Sequence, residues 1–335
     1  MDGFKPQWNK GKALSYIDEL SYAFQKSRTL FAAMQFDIFT LIGERQLSAE
    51  DIADQLNLNK RGTDRLLNAL TSLGLLNKKD FYFSNTESSK TFLIKGSPDY
   101  LGNMEHLSTL WENWGGLGDA VQTGEPVNYE PIKEKDDEWL EAYISSNHWK
   151  ASVEAPEVIK HINLRDVNKV LDLGGGTGKY AVEFVRAKPN INAVVFDYPR
   201  VIEHASEYVG KAGLSDKIST IGGDILNDDI GSGYDLIFVS YVMQDYSIWD
   251  NVSILQKVYD ALKVNGQCVV HEKIINDERT SPEKAVLHSL NMLINTKAGD
   301  CYTETDLWIM MKEAWLKDIQ RYDTDFESSL MNGIR

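Results

Sequence analysis

The spacing of apolar positions changes partway along this 335-residue chain, and the change divides it. From Ala13-Leu-Ser-Tyr-Ile-Asp-Glu-Leu to Phe36-Asp-Ile-Phe-Thr-Leu-Ile42 they recur at helical intervals and carry more apolar surface than one amphipathic face buries. Residues 13–42 are therefore expected to pair with a second copy, giving a homodimer. Ser48-Ala-Glu-Asp51 has the form of a helix N-cap, opening a helix from Asp51, and Thr63–Gly74 reads as a second helix closed by glycine. Phe81-Tyr-Phe-Ser alternates as a short strand, and Lys95-Gly-Ser-Pro98 marks a loop. Helix returns over Tyr100–Val121 and again over Asp136–Val153. From Lys169 short apolar runs alternate with helical stretches: strands are expected at 169–173, 193–197, 218–221, 234–239 and 266–272. Helices follow at Asp250–Leu262, Pro282–Thr296 and Thr305–Ala314, and Asp318–Tyr322 opens a closing hairpin. The alternation predicts an α/β fold, a mainly parallel and doubly wound sheet.

The strand ends carry the candidate chemistry. Lys169-Val-Leu-Asp-Leu-Gly-Gly-Gly-Thr-Gly178 runs from strand into glycine loop and then helix, with Gly174, Gly176 and Gly178 in a G-x-G-x-G spacing that lets backbone approach a ligand. The loop lacks the Lys-Ser/Thr of a P-loop and the longer dinucleotide spacing, so phosphate is not its obvious ligand. Asp197 ends the next strand 19 residues after Gly178, where a nucleoside-binding unit sets a carboxylate for ribose hydroxyls. Asp224, in Gly223-Asp224-Ile225, can accept from an adenine amine while Ile225 covers the ring. With Ser240, these groups sit at the carboxyl ends of strands, where ligands of doubly wound sheets bind.

Composition narrows the partners. With 42% hydrophobic and 25% charged residues the chain fits two soluble globular domains. No apolar run approaches the ~20 residues of a membrane span, and Met1-Asp-Gly-Phe-Lys-Pro lacks a signal-peptide core, so no membrane partner and a cytoplasmic location are expected. Two cysteines fit that compartment, Cys268 packed in a strand and Cys301 in a loop, with no metal-ligand spacing. The net charge of −15 opposes nucleic acid, although residues 1–100 carry 13 Lys and Arg against 12 Asp and Glu. Helix, turn, helix and wing is also the order of a DNA reader, but the candidate groove helix offers only Lys60, Arg61 and Arg65. A non-enzymatic winged-helix regulator is the alternative that this order leaves.

Val170–Gly178, Phe196-Asp-Tyr-Pro199, Gly222-Gly-Asp224 and Tyr234-Asp-Leu-Ile-Phe-Val239 resemble the S-adenosylmethionine motifs of class I methyltransferases. More narrowly, the chain resembles, from about residue 13 to its end, the small-molecule O-methyltransferases with an N-terminal winged-helix dimerisation domain. The resemblance implies a Rossmann-like seven-stranded sheet and three parts: a dimerisation domain over 1–100, a helical linker and substrate-cavity segment over 101–160, and a cofactor-binding catalytic domain over 161–335. It implies S-adenosyl-L-methionine as cofactor, held by Gly174, Gly175, Gly176, Asp197, Tyr198, Asp224, Ile225 and Ser240. It further implies a small methyl acceptor, aromatic or heteroaromatic, methylated on oxygen or carbon and lined by Trp111, Trp114, His148, Asp245, Asn291 and Met292.

The resemblance fails at one point. In that family a histidine after the fourth strand is the general base, held by two glutamates. Here Val242-Met-Gln-Asp-Tyr246 sets Gln244 in its place; Glu272 keeps the first glutamate position, and Cys301 takes the second. A glutamine takes no proton at pH 7. Three readings stay open: an acceptor that needs no base, a base from Asp245, His288 or Cys301, or non-methylating chemistry on the same cofactor.

Overall fold

Asn9 caps the first helix, α1 (Lys10–Gln35), by accepting from the N–H groups of Gly11 and Lys12. The helical pattern expected over 13–42 breaks at Phe36–Asp37, where Asp37 adopts φ 52°, and resumes as α2 (Ile38–Ile42). Only Ala33 and Met34 of α1 are buried, while Leu14, Tyr16, Ile17, Leu20, Tyr22 and Phe24 are 52–68% exposed. The computed structural model describes residues 9–97, 99–101 and 104–335. Met1–Pro6, Pro98 of the expected loop, and Gly102 and Asn103 of the expected Tyr100–Val121 helix lie outside the described residues. Internal packing divides the chain into two units, Met1–Ser108 and Thr109–Arg335.

In the first unit, β1 (Leu47–Ser48) leads into α3 (Ala49–Leu56), which opens on a complete capping box between Ser48 and Asp51. Helix α4 (Lys60–Ser72) starts three residues earlier than expected, because the Asn59 side chain accepts from the Gly62 N–H and fixes the first turn there. Strands β2 (Leu76–Lys79) and β3 (Tyr82–Asn85) form a hairpin in an antiparallel sheet of order β1-β3-β2, followed by α5 (Glu87–Phe92). Asn85 ties this sheet to α2 by donating to the carbonyls of Phe39 and Gly43 at 2.9 and 3.0 Å.

Helix α6 (Met104–Gly115) crosses the boundary between the units, and α7 (Leu117–Thr123) follows. The expected continuous helix is interrupted at Gly116, where Val127 packs so closely that a Cβ would lie 2.7 Å from its Cγ1. Helix α8 (Asp137–Val158) runs five residues past the expected end and carries Pro156 within it. Of the linker and cavity segment expected over 101–160, residues 109–160 belong to the second unit.

The rest alternates as read from the sequence: β4 (Lys169–Leu173), α9 (Lys179–Ala187), β5 (Asn192–Asp197), α10 (Pro199–Lys211), β6 (Ile218–Gly222), β7 (Tyr234–Ser240), α11 (Ile248–Ala261), β8 (Leu262–Glu272), α12 (Glu283–Asn295), α13 (Glu304–Glu313), β9 (Lys317–Asp323) and β10 (Ser329–Ile334). The seven strands order as β6-β5-β4-β7-β8-β10-β9, parallel except for the β10 pairings. The chain leaves β4 toward β5 on one side and meets β7 on the other, so the switch point lies at the carboxyl end of β4. Val170, Leu171 and Leu173 are fully buried there, as a strand covered on both faces requires. No helix of the described residues is long and apolar enough to cross a membrane.

Candidate active site

The glycine loop leaves β4 with Gly174, Gly176 and Gly178 at φ 69°, 56° and 73°, a region that L side chains rarely occupy. Gly175 is required for space instead: a Cβ there would lie 2.7 Å from Cγ of Asp172. Asp172 is buried beneath the loop, and its Oδ2 accepts from the Ala181 N–H in the first turn of α9 at 3.1 Å. Its Oδ1 has no partner among the described residues, and burial pushes its carboxyl up to about 7. The sequence showed Asp172 only as the end of an apolar run; the structure makes it the support of the loop.

Asp197 closes the other side. Its Oδ2 accepts from the Gly176 N–H at 2.8 Å, its Oδ1 from the Tyr198 N–H at 2.7 Å, and burial pushes it up to about 6 against those two bonds. A cavity of about 370 Å³ adjoins it, lined by Leu140, Tyr198, Val201, Gly222, Gly223 and Asp224 among others. Its wall offers a carboxylate beside exposed glycine backbone, which suits a nucleoside with vicinal hydroxyls and an amino-bearing ring. S-adenosylmethionine fits a wall of this kind, in which Asp224 is a lining residue and Asp197 immediately precedes the lining residue Tyr198. Ile225, expected to cover the adenine, belongs to the apolar core and is not among the lining residues. Ser240 is not among the lining residues, and its Oγ lies 3.0 Å from Nδ1 of His271.

His148, expected on the acceptor side, contacts the glycine loop and α10. Its Nδ1 lies 2.8 Å from Thr177 Oγ1, and its ring stacks on Tyr208 at 4.0 Å. Burial, with Lys179 and Lys211 next, lowers it to about 4, so it is neutral. Trp114 Nε1 donates to Asn291 Oδ1 at 3.1 Å, which brings two expected acceptor-side residues together, and Met292 is buried beside them in sequence. Trp111 lies on α6 one turn before Trp114.

The 3-10 turn Met243–Asp245 after β7 presents Gln244. His288 of α12 donates from Nε2 to its Oε1 at 3.0 Å, and Glu272 accepts its backbone N–H at 3.4 Å. Burial, then Lys273 and Lys150, lowers His288 to about 3. Glu272 is buried, and desolvation followed by Asp245 pushes it up to about 8. Asp245 is reachable by solvent yet ringed by protein; this loss of bulk water, followed by Asp197, pushes it up to about 7. Cys301 is 2% exposed, and burial, with Glu272 next, pushes its thiol up to about 12, which leaves it protonated and unsuited to the role of base.

Several residues of this region were not singled out from the sequence. Lys150 and Glu154 lie one turn apart on α8, and Glu154 is buried and accepts from Tyr241 OH at 3.0 Å. His271 is fully buried, reached at Nδ1 by Ser240 and Tyr180 hydroxyls and at Nε2 by Ser328. Gly299 packs on the Gln244 carbonyl, and a Cβ there would stand 3.1 Å from Cα of Asp245. Tyr241 adopts φ 54° just past the end of β7, unusual for a bulky residue, and nothing local in the sequence marks it.

An O-methyltransferase domain family matches residues 114–316, and an O-methyltransferase dimerisation domain matches 18–95. The chain is 28% identical over 326 residues to a 3-hydroxy-5-methyl-1-naphthoate 3-O-methyltransferase from Streptomyces sahachiroi, covering 95% of this chain and 93% of that one. It is 27% identical over 331 residues to acetylserotonin O-methyltransferase from Bos taurus, covering 93% and 94%. In fold it matches PigF with SAH at a TM-score of 0.89, with 22% identity and 98% and 100% of the two chains covered.

Proposed function

The chain belongs to the O-methyltransferase family and is an S-adenosylmethionine-dependent methyltransferase, and on that premise we propose that it methylates an acidic aromatic or heteroaromatic metabolite without a histidine base. The observation that carries this reading is the 3.0 Å bond between His288 and Gln244. The family-type base position holds an amide, and the imidazole of His288 donates its Nε2–H to that amide.

S-adenosylmethionine supplies a methyl group on a sulfonium, an electrophile that needs an aligned nucleophile more than activation. Gly174–Gly176, Asp197, Tyr198 and Asp224 hold it in this reading, and Trp111, Trp114, Asn291 and Met292 wall the acceptor. Gln244 orients the acceptor through its amide, Glu272 steadies the Gln244 backbone, and an acceptor that ionises readily supplies the nucleophile itself. The naphthoate relative acts on a substrate of this chemical class. The exposed apolar face of α1 and the match to a dimerisation domain support a homodimer made through residues 13–42. The charge of −15 supports a small-molecule partner over nucleic acid.

The test is the pH dependence of methyl transfer from labelled S-adenosylmethionine to a series of hydroxyaromatics of graded acidity. The inflection in kcat/KM is expected to move with the acceptor's own pKa. An inflection fixed at one pH for every acceptor would show a protein base at work and overturn the reading.

A further inference from the structure

Between α7 and α8 the chain runs from Gly124 to Asp136 without helix or strand, and part of this run walls the cavity beside Tyr198. A coil of ~12–15 residues inside a compact domain is commonly a binding loop or a lid. Both of its ends are tied down. Near the start, the Val127 N–H donates to the Ile294 carbonyl of α12 at 2.8 Å, and at the other end Asp136 caps α8 by accepting from the Trp139 N–H at 2.7 Å. Between these ties, Ile132 packs into an apolar cluster with Leu140, Ile144, Val201 and Tyr198. Ile132 and Lys133 line the cavity together with Tyr198, Gly222 and Asp224.

Arg200, in the first turn of α10, grips the middle of this strap. Its Nη1 donates to the Lys135 carbonyl at 2.6 Å and lies 3.4 and 3.5 Å from the carbonyls of Ile132 and Lys133, while Nη2 pairs with Asp137 at 2.5 Å. Carbonyls outside helix and strand need donors from elsewhere. The planar fork of a guanidinium can serve two directions at once, which a lysine ammonium does less well. Lys135 adds a smaller contact, with its Nζ 3.3 Å from Glu130 and 5.3 Å from the centroid of the Trp139 ring. Arg200 follows Tyr198 and Pro199 directly, so the residue that holds the strap belongs to the same turn as the cavity wall. All of these residues lie in the second unit.

We propose that residues 127–136 cover the nucleoside end of the bound cofactor and that Arg200 is their latch, a positioning residue that sets how long cofactor and product stay bound. The proposal rests on the reading that puts the nucleoside beside Tyr198 and Asp224. A strap fixed at both ends parts from the cavity in its middle, and the middle is where Arg200 grips. Breaking the grip leaves the Val127 and Asp136 ties in place, so the strap opens locally while the sheet and its helices keep their packing. Opening of such a cover governs release of what lies beneath it.

Hydrogen exchange and stopped-flow dissociation of S-adenosylhomocysteine, both on the full chain, test this. In the unmodified chain the ligand is expected to slow exchange over 127–136 by about fivefold or more. Arg200→Met should speed exchange there in the free chain and speed dissociation of the ligand, each by about tenfold or more. Arg200→Lys and Asp137→Ala each give up one limb of the grip and should raise both rates about two- to fivefold. Those two variants decide the matter should Arg200→Met fail to fold. Protection of Gly222–Asp224 by the ligand without protection of 127–136, or dissociation from Arg200→Met at the unmodified rate, would overturn the cover. Faster dissociation with unchanged exchange over 127–136 would overturn the latch, since Arg200 would then act on the cofactor itself. Binding that protects neither segment, or no binding by the unmodified chain, would instead strike the cofactor reading beneath the proposal.

Discussion

His288 gives its Nε2 proton to Oε1 of Gln244 across 3.0 Å, and the direction of that bond limits what either residue can do for an acceptor. Gln244 cannot take a proton, and the remaining lone pair of His288 lies on Nδ1. Burial, then Lys273 and Lys150, further weaken the imidazole as a base. General-base assistance is typically worth ~10²–10⁴-fold. Gln244→Ala and His288→Ala are therefore expected to lower kcat less than about tenfold, with Gln244→Ala raising KM by the larger factor. Gln244→His should bring little gain. A rise in kcat of ~10²-fold or more in Gln244→His would mean that a missing base limits the enzyme.

Asp197 offers a second measurement. It receives N–H groups from Gly176 and Tyr198 and has lone pairs left for ribose hydroxyls. Hydrogen bonds to a charged group are worth about 1.5–3 kcal/mol, so Asp197→Ala should weaken S-adenosylhomocysteine binding by roughly 10–150-fold. Burial raises this carboxyl to about 6, and its charged form is the better acceptor. Affinity should accordingly be flat above pH 7 and fall as pH drops through 6, a slope that Asp197→Asn should abolish. Calorimetry from pH 5 to 8 reads both.

Gly299 is expected to matter through its neighbours. A methyl group there would run into the Gln244 carbonyl and crowd Thr296 Oγ1 at 2.6 Å, forcing the Gln244–Asp245 backbone to shift. A misplacement of about 1 Å can cost ~10²-fold in rate. Gly299→Ala should lower kcat/KM at least tenfold and leave S-adenosylhomocysteine affinity within about twofold. Equal losses in both would show that the loop supports the whole fold instead.

The apolar face of α1 gives the last prediction. Ile17 and Leu20 are 60% and 58% exposed, near the centre of a row that includes Tyr16 and Phe24. Light scattering should find the unmodified chain at twice its 37.9 kDa mass and the Ile17→Glu, Leu20→Glu variant as a monomer. A compact monomer of the unmodified chain at micromolar concentration would rule out this surface.

The repetitive parts of the molecule were legible in the sequence because their signals are local. A buried parallel strand needs a short apolar run, and a cofactor loop needs glycines at fixed intervals. Gly174, Asp197 and Asp224 were therefore readable at the ends of β4, β5 and β6, with the switch-point crevice that follows from the alternation. Gln244 was equally plain as a letter, standing in Val242-Met-Gln-Asp-Tyr246 where the resemblance leads one to expect a histidine. What Gln244 touches was decided only by folding: His288 lies 44 residues away and Gly299 farther still. His148 shows the same limit, placed by motif on the acceptor side and turned by packing onto Thr177 and Tyr208. Lys150 and Lys273 show it most sharply. On a helix and at a strand end, lysines read as solvated charges, and only the tertiary structure leaves both part-buried. Desolvation depends on which distant segments converge, and the chain's one-dimensional pattern carries no record of that.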